Sequence, residues 1–146
     1  MAARSQYEEL ARQLRCMAAM QRGLARLLPH DCPAGPTAVL ALLKHHGEMR
    51  MNRLAELLGV DMSVASRHVT HVAERGWVER KPDPTDRRSR LLRLTGEGEQ
   101  VLRMISRRYV DTLSTALSGW PDEEVGLLVS LLARMQADVG RRLPAD

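Results

Sequence analysis

The sequence predicts a mainly α-helical fold carrying one small β-wing. Three observations carry that prediction. From Leu54 to Gly76, apolar residues recur three and four positions apart, the spacing of a helix face. From Trp77 to Leu94 the spacing switches toward alternation around a turn-rich Pro82-Asp83-Pro84, the pattern of two short strands. Long apolar stripes precede and follow this central stretch, so helices flank it on both sides.

Residues 5–28 are expected to form one long helix, with Tyr7, Leu10, Leu14, Met17, Leu24 and Leu28 on a stripe and Pro29 as its end. The following His30–Thr37 segment, with two prolines and a glycine, suits a break. A second helix is expected over 37–46, with Val39, Leu40, Leu42 and Leu43 apolar and Gly47 closing it. Leu54, Ala55, Leu57 and Leu58 then give a short amphipathic helix, and Gly59 suits a left-handed C-terminal position. Val60 can plug the turn and Asp61 is a good N-cap for a helix from Met62 to Arg75. That helix places Ala65, Val69, Val72, Ala73 and Gly76 on one face. Trp77, Val78 and Glu79 begin a strand, the chain reverses at Pro82–Asp86, and Ser89–Leu94 returns with Leu92 and Leu94 inward. Thr95 is a plausible N-cap for a helix over 96–118, with Val101, Leu102, Ile105, Tyr109 and Leu113 inward; Gly96 and Gly98 weaken its first turn. Pro121 fits the first position of a last helix running to 143, and Asp122, Glu123 and Glu124 suit its positive N-terminal dipole. Arg141 and Arg142 suit the other end of that dipole.

The order helix, tight turn, helix, β-ribbon over 37–95 is a winged helix-turn-helix module, whose second helix is built to enter a DNA major groove. The outer face of that helix carries Ser63, Ser66, Arg67, Thr70 and His71, small polar groups and a guanidinium suited to base edges and phosphates. Taken alone, such a face is equally an ordinary solvated surface. The ribbon adds the second signal. From Arg80 to Arg93 there are six basic residues against two acidic ones, and a positive hairpin beside a groove-sized helix fits phosphate contact and minor-groove insertion.

At this point the chain resembles the MarR family of bacterial transcription regulators. The residues that carry the resemblance are LAELLGV at 54–60, SVASRHV at 63–69, RGWVER at 75–80 and, most specifically, DPTDRRSRLLRLTGEG at 83–98. The resemblance implies that Arg88 reaches a minor groove with Asp86 orienting it, flanked by Arg87 and Arg90. It also implies that Ser63, Val64, Ser66, Arg67 and His68 face the major groove. The apolar stripes of helices 5–28 and 99–143 are too long to pack on the small central module, so a homodimer is expected, with an interface of Tyr7, Leu10, Leu14, Leu128, Leu131, Leu132, Met135 and Val139. The resemblance also implies an effector site between those helices and the winged module.

The remaining features bound the function. At 146 residues the expectation is a single domain, 1–146, with an aliphatic core: 44% of residues are hydrophobic, with no Phe and two each of Trp and Tyr. The net charge of +4 concentrates in the wing and favours an anionic partner. No apolar run approaches the roughly 18 residues of a membrane span, and MAARSQYEELARQ lacks an apolar signal core, so a cytoplasmic protein is expected. No phosphate loop, nucleophile elbow, HExxH or CxxC occurs, so neither an enzyme nor a metal or other cofactor is expected. Adjacent His45 and His46 point about 100° apart on a helix and cannot form an i,i+4 ligand pair; with His30 and Cys32 nearby a metal site is conceivable, but surface or pocket-rim histidines are the favoured reading. His68 and His71 fit DNA better than metal. Cys16, among Leu14, Met17, Ala18 and Met20, is expected to be a packed structural thiol rather than a redox sensor. The expected function is therefore a homodimeric repressor of inverted-repeat double-stranded DNA operators, relieved by a small-molecule effector. The alternatives are a Cys16 redox-sensing regulator, a winged-helix protein-interaction module without DNA binding, and an enzyme built on the His-rich 30–46 region. The basic wing is what separates the first reading from the interaction module.

Overall fold

The structure, a computed structural model, describes residues 1–142. The described chain falls into two compact units, Met1–Val110 and the segment from Asp111 onward. The first contains helices α1 (Arg4–Leu24), α2 (Ala34–His46), α3 (Met51–Leu58) and α4 (Met62–Glu74) and strands β1 (Met49–Arg50), β2 (Val78–Asp83) and β3 (Asp86–Leu94). Helix α5 (Gly96–Ala116) begins in it, and α6 (Asp122–Gly140) lies in the second. The strands form one antiparallel sheet in the order β1-β3-β2, with Met49 opposite Leu92 and Val78 opposite Leu94. The mainly helical fold with a small β-wing is as predicted.

Several boundaries move, each for a local reason. α1 ends at Leu24 and tightens into a 3₁₀ turn, Ala25–Leu27, before Pro29. α2 begins at Ala34 rather than at 37. Pro36 sits in its first turn, where the missing N–H has no intrahelical partner to lose. The Thr37 hydroxyl donates back to the Cys32 carbonyl at 3.0 Å and so ties the helix start to the preceding loop. β1 had no counterpart in the sequence pattern, because two residues are too few to show alternation. Pro82 and Asp83, expected in the turn, belong to β2, and the two-residue loop is Pro84-Thr85. Pro82 is tolerated because β2 is an edge strand. Asp61 occupies the N-cap position of α4, but its side chain makes no capping hydrogen bond. Pro121 is the N-cap of α6 rather than its first residue. α6 ends at Gly140, and residue 143 of the expected helix lies outside the described residues.

The core of the first unit is aliphatic. Val39, Leu40, Leu43, Leu54, Val69, Val72, Val78, Leu92 and Ile105 are buried together with Met49 and Cys32. Both ends of the helix-turn-helix close the same way. Gly59 adopts φ 65°, and the Val60 amide reaches back to the Ala55 carbonyl at 3.2 Å. Gly76 adopts φ 75°, and the Trp77 amide reaches the Val72 carbonyl at 3.0 Å. Only glycine takes this left-handed position without strain, so the two glycines set where α3 and α4 stop. Thr95 caps α5 as predicted: its hydroxyl accepts from the Gly98 amide at 3.1 Å and donates to the Gly76 carbonyl at 2.6 Å.

Candidate nucleic-acid interface

α4 buries Ala65, Val69 and Val72 and so presents the opposite face to solvent. Ser63, Ser66, Arg67 and Thr70 are exposed there, and Val64 is half-buried. Arg80 of β2 donates to the Thr70 hydroxyl at 3.1 Å, which joins the polar face of the helix to the ribbon. Between α3, α4 and β3 lies an open cleft of about 410 Å³, lined by Arg50, Asn52, Met62, Ser66, Arg80 and Arg90 among others. Three guanidinium groups and the two serines Ser66 and Ser89 thus share one depression beside the start of α4.

Two predicted contacts turn elsewhere. His68 lies over Gly35 of α2, so closely that a Cβ built on Gly35 would come within 2.3 Å of its ring. The His71 ring nitrogen Nε2 is 2.6 Å from the Asp31 carbonyl oxygen. His68 thus packs on the first turn of α2 and His71 on the loop before it, instead of facing outward with Ser66 and Arg67.

The wing sorts its charges. Lys81 pairs at 2.7 Å with Glu48, the residue before β1, and Arg93 pairs with Glu79 across the ribbon, so two of the wing's six cations are neutralised. Arg87, Arg88 and Arg90 make no ion pair among the described residues and are exposed at and near the tip. Asp86 holds the tip in shape. Its carboxylate accepts from the Arg88 backbone amide and from the Ser89 hydroxyl, both at 3.0 Å, and these bonds lower its pKa from the usual carboxylate value. It therefore fixes Arg88 through the main chain, where the sequence suggested orientation of the side chain.

The tip end of the wing, where β2 meets the loop, holds a cluster that the sequence does not reveal. Asp83 is the one buried charged residue among those described, at 6% exposure. Its carboxylate accepts from the Thr85 amide at 2.9 Å and the Thr85 hydroxyl at 2.7 Å, and from Arg50 Nε at 2.7 Å. The Thr85 bonds first, and then Arg50, hold its pKa at about 2 against the ordinary 3.8. In the sequence Asp83 looked like a turn former, and nothing local marks Arg50 as its partner, 33 positions away.

Cys16 is exposed, contrary to the expectation of a packed thiol; its neighbours Leu14 and Met20 are exposed as well. The packed thiol is Cys32, fully buried, with its Sγ 3.3 Å from the Thr37 hydroxyl and its pKa raised chiefly by burial. No cluster of metal-binding side chains and no helix long and apolar enough to cross a membrane occurs among the described residues.

Comparison with known proteins places this geometry. The MarR family pattern matches residues 36–89, which spans the helix-turn-helix and the wing to Ser89. The uncharacterized HTH-type transcriptional regulator YdgJ of Bacillus subtilis is 29% identical over 101 residues, covering 69% of this chain and 62% of its own length. A MarR family protein from Bacillus stearothermophilus superposes with TM-score 0.81 at 22% identity, over 96% of this chain and 99% of that one. The PcaV transcriptional regulator from Streptomyces coelicolor, solved in complex with its natural ligand, superposes with TM-score 0.68 at 26% identity, over 96% and 99% of the two chains. In its central module, residues 36–89, the chain is thus similar to the MarR family of transcription regulators, and it shares the fold of a MarR family protein.

Proposed function

We propose that this regulator is a homodimeric, cytoplasmic DNA-binding repressor that recognises inverted-repeat operators and releases them when a small molecule binds. The observation that carries the DNA reading is the charge sorting. Lys81 and Arg93 are neutralised by glutamates, whereas Arg87, Arg88 and Arg90 make no ion pair among the described residues, and Ser63, Ser66 and Arg67 of α4 are exposed as well. Such cations together with a groove-sized polar helix face suit a polyanion: the helix meets base edges in the major groove and the wing tip meets the minor groove and phosphates. A protein-interaction module gains nothing from three unneutralised guanidiniums at a hairpin tip.

The effector reading is supported by a largely apolar cleft of about 380 Å³ in the first unit, lined by Leu24, Leu28, Ala38, Ala41 and Tyr109 together with the polar Gln21 and Thr37. Its size and lining suit a small, largely apolar molecule. The ligand in the PcaV structure is a precedent in a relative at 26% identity. The dimer reading is supported by apolar side chains left exposed on α1 and α6, among them Tyr7, Leu10, Leu14, Leu128, Leu131 and Val139.

The direct test is titration against random-sequence duplex DNA, then against genomic fragments selected by the protein, across a salt series. Log affinity should fall linearly with log salt, with a slope set by the number of phosphates neutralised. A slope near zero would refute DNA binding.

A further inference from the structure

The wing tip has little to hold its angle. β1 is two residues long and pairs only with Leu91 and Leu92 of the nine-residue β3. Beyond Arg90 the hairpin therefore has no third strand, and a bare two-stranded ribbon is at best marginally stable in water. The ladder also slips at Pro82/Asp83, the step before the loop. At this weak point sits the Asp83 carboxylate, which also organises the loop through Thr85.

Arg50 supplies what the strands lack. It is the last residue of β1 and the N-cap position of α3, where its side chain makes no capping bond. Instead the guanidinium runs along the ribbon past the end of β1. Its Nε reaches Asp83 Oδ2 at 2.7 Å, its Nη2 reaches the same oxygen at 2.6 Å, and Nη2 donates to the Thr85 hydroxyl at 3.3 Å. Two guanidinium nitrogens converge on one carboxylate oxygen and one of them also reaches the Thr85 hydroxyl, so a single charged group is tied to both the end of β2 and the loop. One side chain thus connects the first residue before the helix-turn-helix to the far end of the wing.

We propose that Arg50 is a positioning residue for DNA binding: through Asp83 and Thr85 it fixes the angle at which the wing tip, with Arg87 and Arg88, is held relative to α3 and α4. This inference rests on the DNA reading above. It differs from a direct phosphate contact by Arg50, which its place on the rim of the cleft with Ser66 and Arg90 would otherwise suggest. A positioning residue acts through Arg88, so its loss should matter little once Arg88 is gone. A direct contact would act independently, and the two losses would multiply.

The experiment is a double-mutant cycle, with random-sequence duplex DNA as the probe and affinity measured across a salt series. Arg50→Ala should weaken binding roughly tenfold and flatten the log-log salt slope by about one ion, because the wing no longer engages. In the Arg88→Ala background, the same change should cost no more than about twofold. Arg50→Lys, which keeps the charge and one contact, should recover most of the lost affinity. If Arg50→Ala fails to fold by thermal unfolding, the cycle is run with Arg50→Gln. Losses that multiply in full, or an Arg50 variant with wild-type affinity and slope, would overturn the proposal. Wild-type protein that does not bind the duplex would instead overturn the DNA reading itself.

Discussion

At the scale of single residues, the exposed cations divide into two kinds. Arg67 is exposed on the polar face of α4 and Arg88 is exposed at the wing tip; in the proposed DNA complex the first would meet the distinct base-pair patterns of a major groove and the second the degenerate pattern of a minor groove. Arg88→Ala should therefore weaken binding to many sequences alike, while Arg67→Ala should change preference among base pairs by about 1–3 kcal/mol. Titration against a panel of operator variants separates the two, and an Arg88→Ala protein that is folded yet binds as tightly as wild type would remove the wing from the interface. Asp83 makes a prediction about stability. Its folded carboxyl ionises at about 2 against an ordinary 3.8, so folding favours the carboxylate. That contribution is fully present above the ordinary value and is lost as pH falls through the folded one. Asp83→Asn should be less stable than wild type at neutral pH, and the gap in denaturant midpoint should narrow as pH drops from about 4 to about 2. A gap independent of pH would show that the carboxylate's bonds are not what the variant loses.

At the scale of elements, legibility in the sequence followed the range of the forces involved. The ends of α3 and α4 were legible at Gly59 and Gly76 because a left-handed cap is a local demand on the backbone. Thr95 was legible for the same reason, since its hydroxyl serves an amide three residues on. The outward turn of Ser66 and Arg67 followed from helical periodicity alone. By contrast, His68 and His71 share the periodicity of the polar face but are drawn to Gly35 and the Asp31 carbonyl, partners on another element that no spacing reveals. β1 was invisible because it exists only through its pairing with β3. Gly98 was misjudged more deeply. In the sequence it reads as a weakness in the first turn of α5; in the fold it is the point where α5 crosses the Trp77 backbone, and a Cβ there would lie 2.1 Å from the Trp77 carbonyl oxygen. A backbone atom cannot step aside as a flexible side chain can. Gly98→Ala, favourable by helix propensity, should therefore destabilise the protein by about 1–3 kcal/mol. Thermal unfolding decides the sign, and a stabilised variant would mean that the crossing is looser than described.

At the scale of the whole molecule, what matters is the apolar surface that one chain leaves in water. α1 has no buried residue, and neither has α6. Along α1, Tyr7, Leu10, Leu14 and Met20 are exposed; along α6, Leu127, Leu128, Val129, Leu131 and Val139 are, with Leu131 at 52%. Soluble monomers seldom expose apolar side chains in such runs, and a helix of 19 or 21 residues cannot conceal them by itself. Two copies related by a two-fold axis would bury these stripes against their own equivalents. The same axis would present two α4 helices to successive major grooves, about 34 Å apart, which an inverted repeat requires. Dimerisation and operator recognition are then one property, and breaking the stripe should remove both. Replacing Leu131 and Met135 with Glu puts two charges into the stripe of α6 without touching the helix-turn-helix or the wing. Light scattering should then report a monomer. Titration should show lost affinity for the full palindrome, while the weak, salt-dependent attraction to random duplex DNA persists, because each copy keeps its own basic wing. A monomeric variant that binds the palindrome as tightly as wild type would refute the coupling, and a wild-type protein that is itself monomeric at micromolar concentration would refute the dimer.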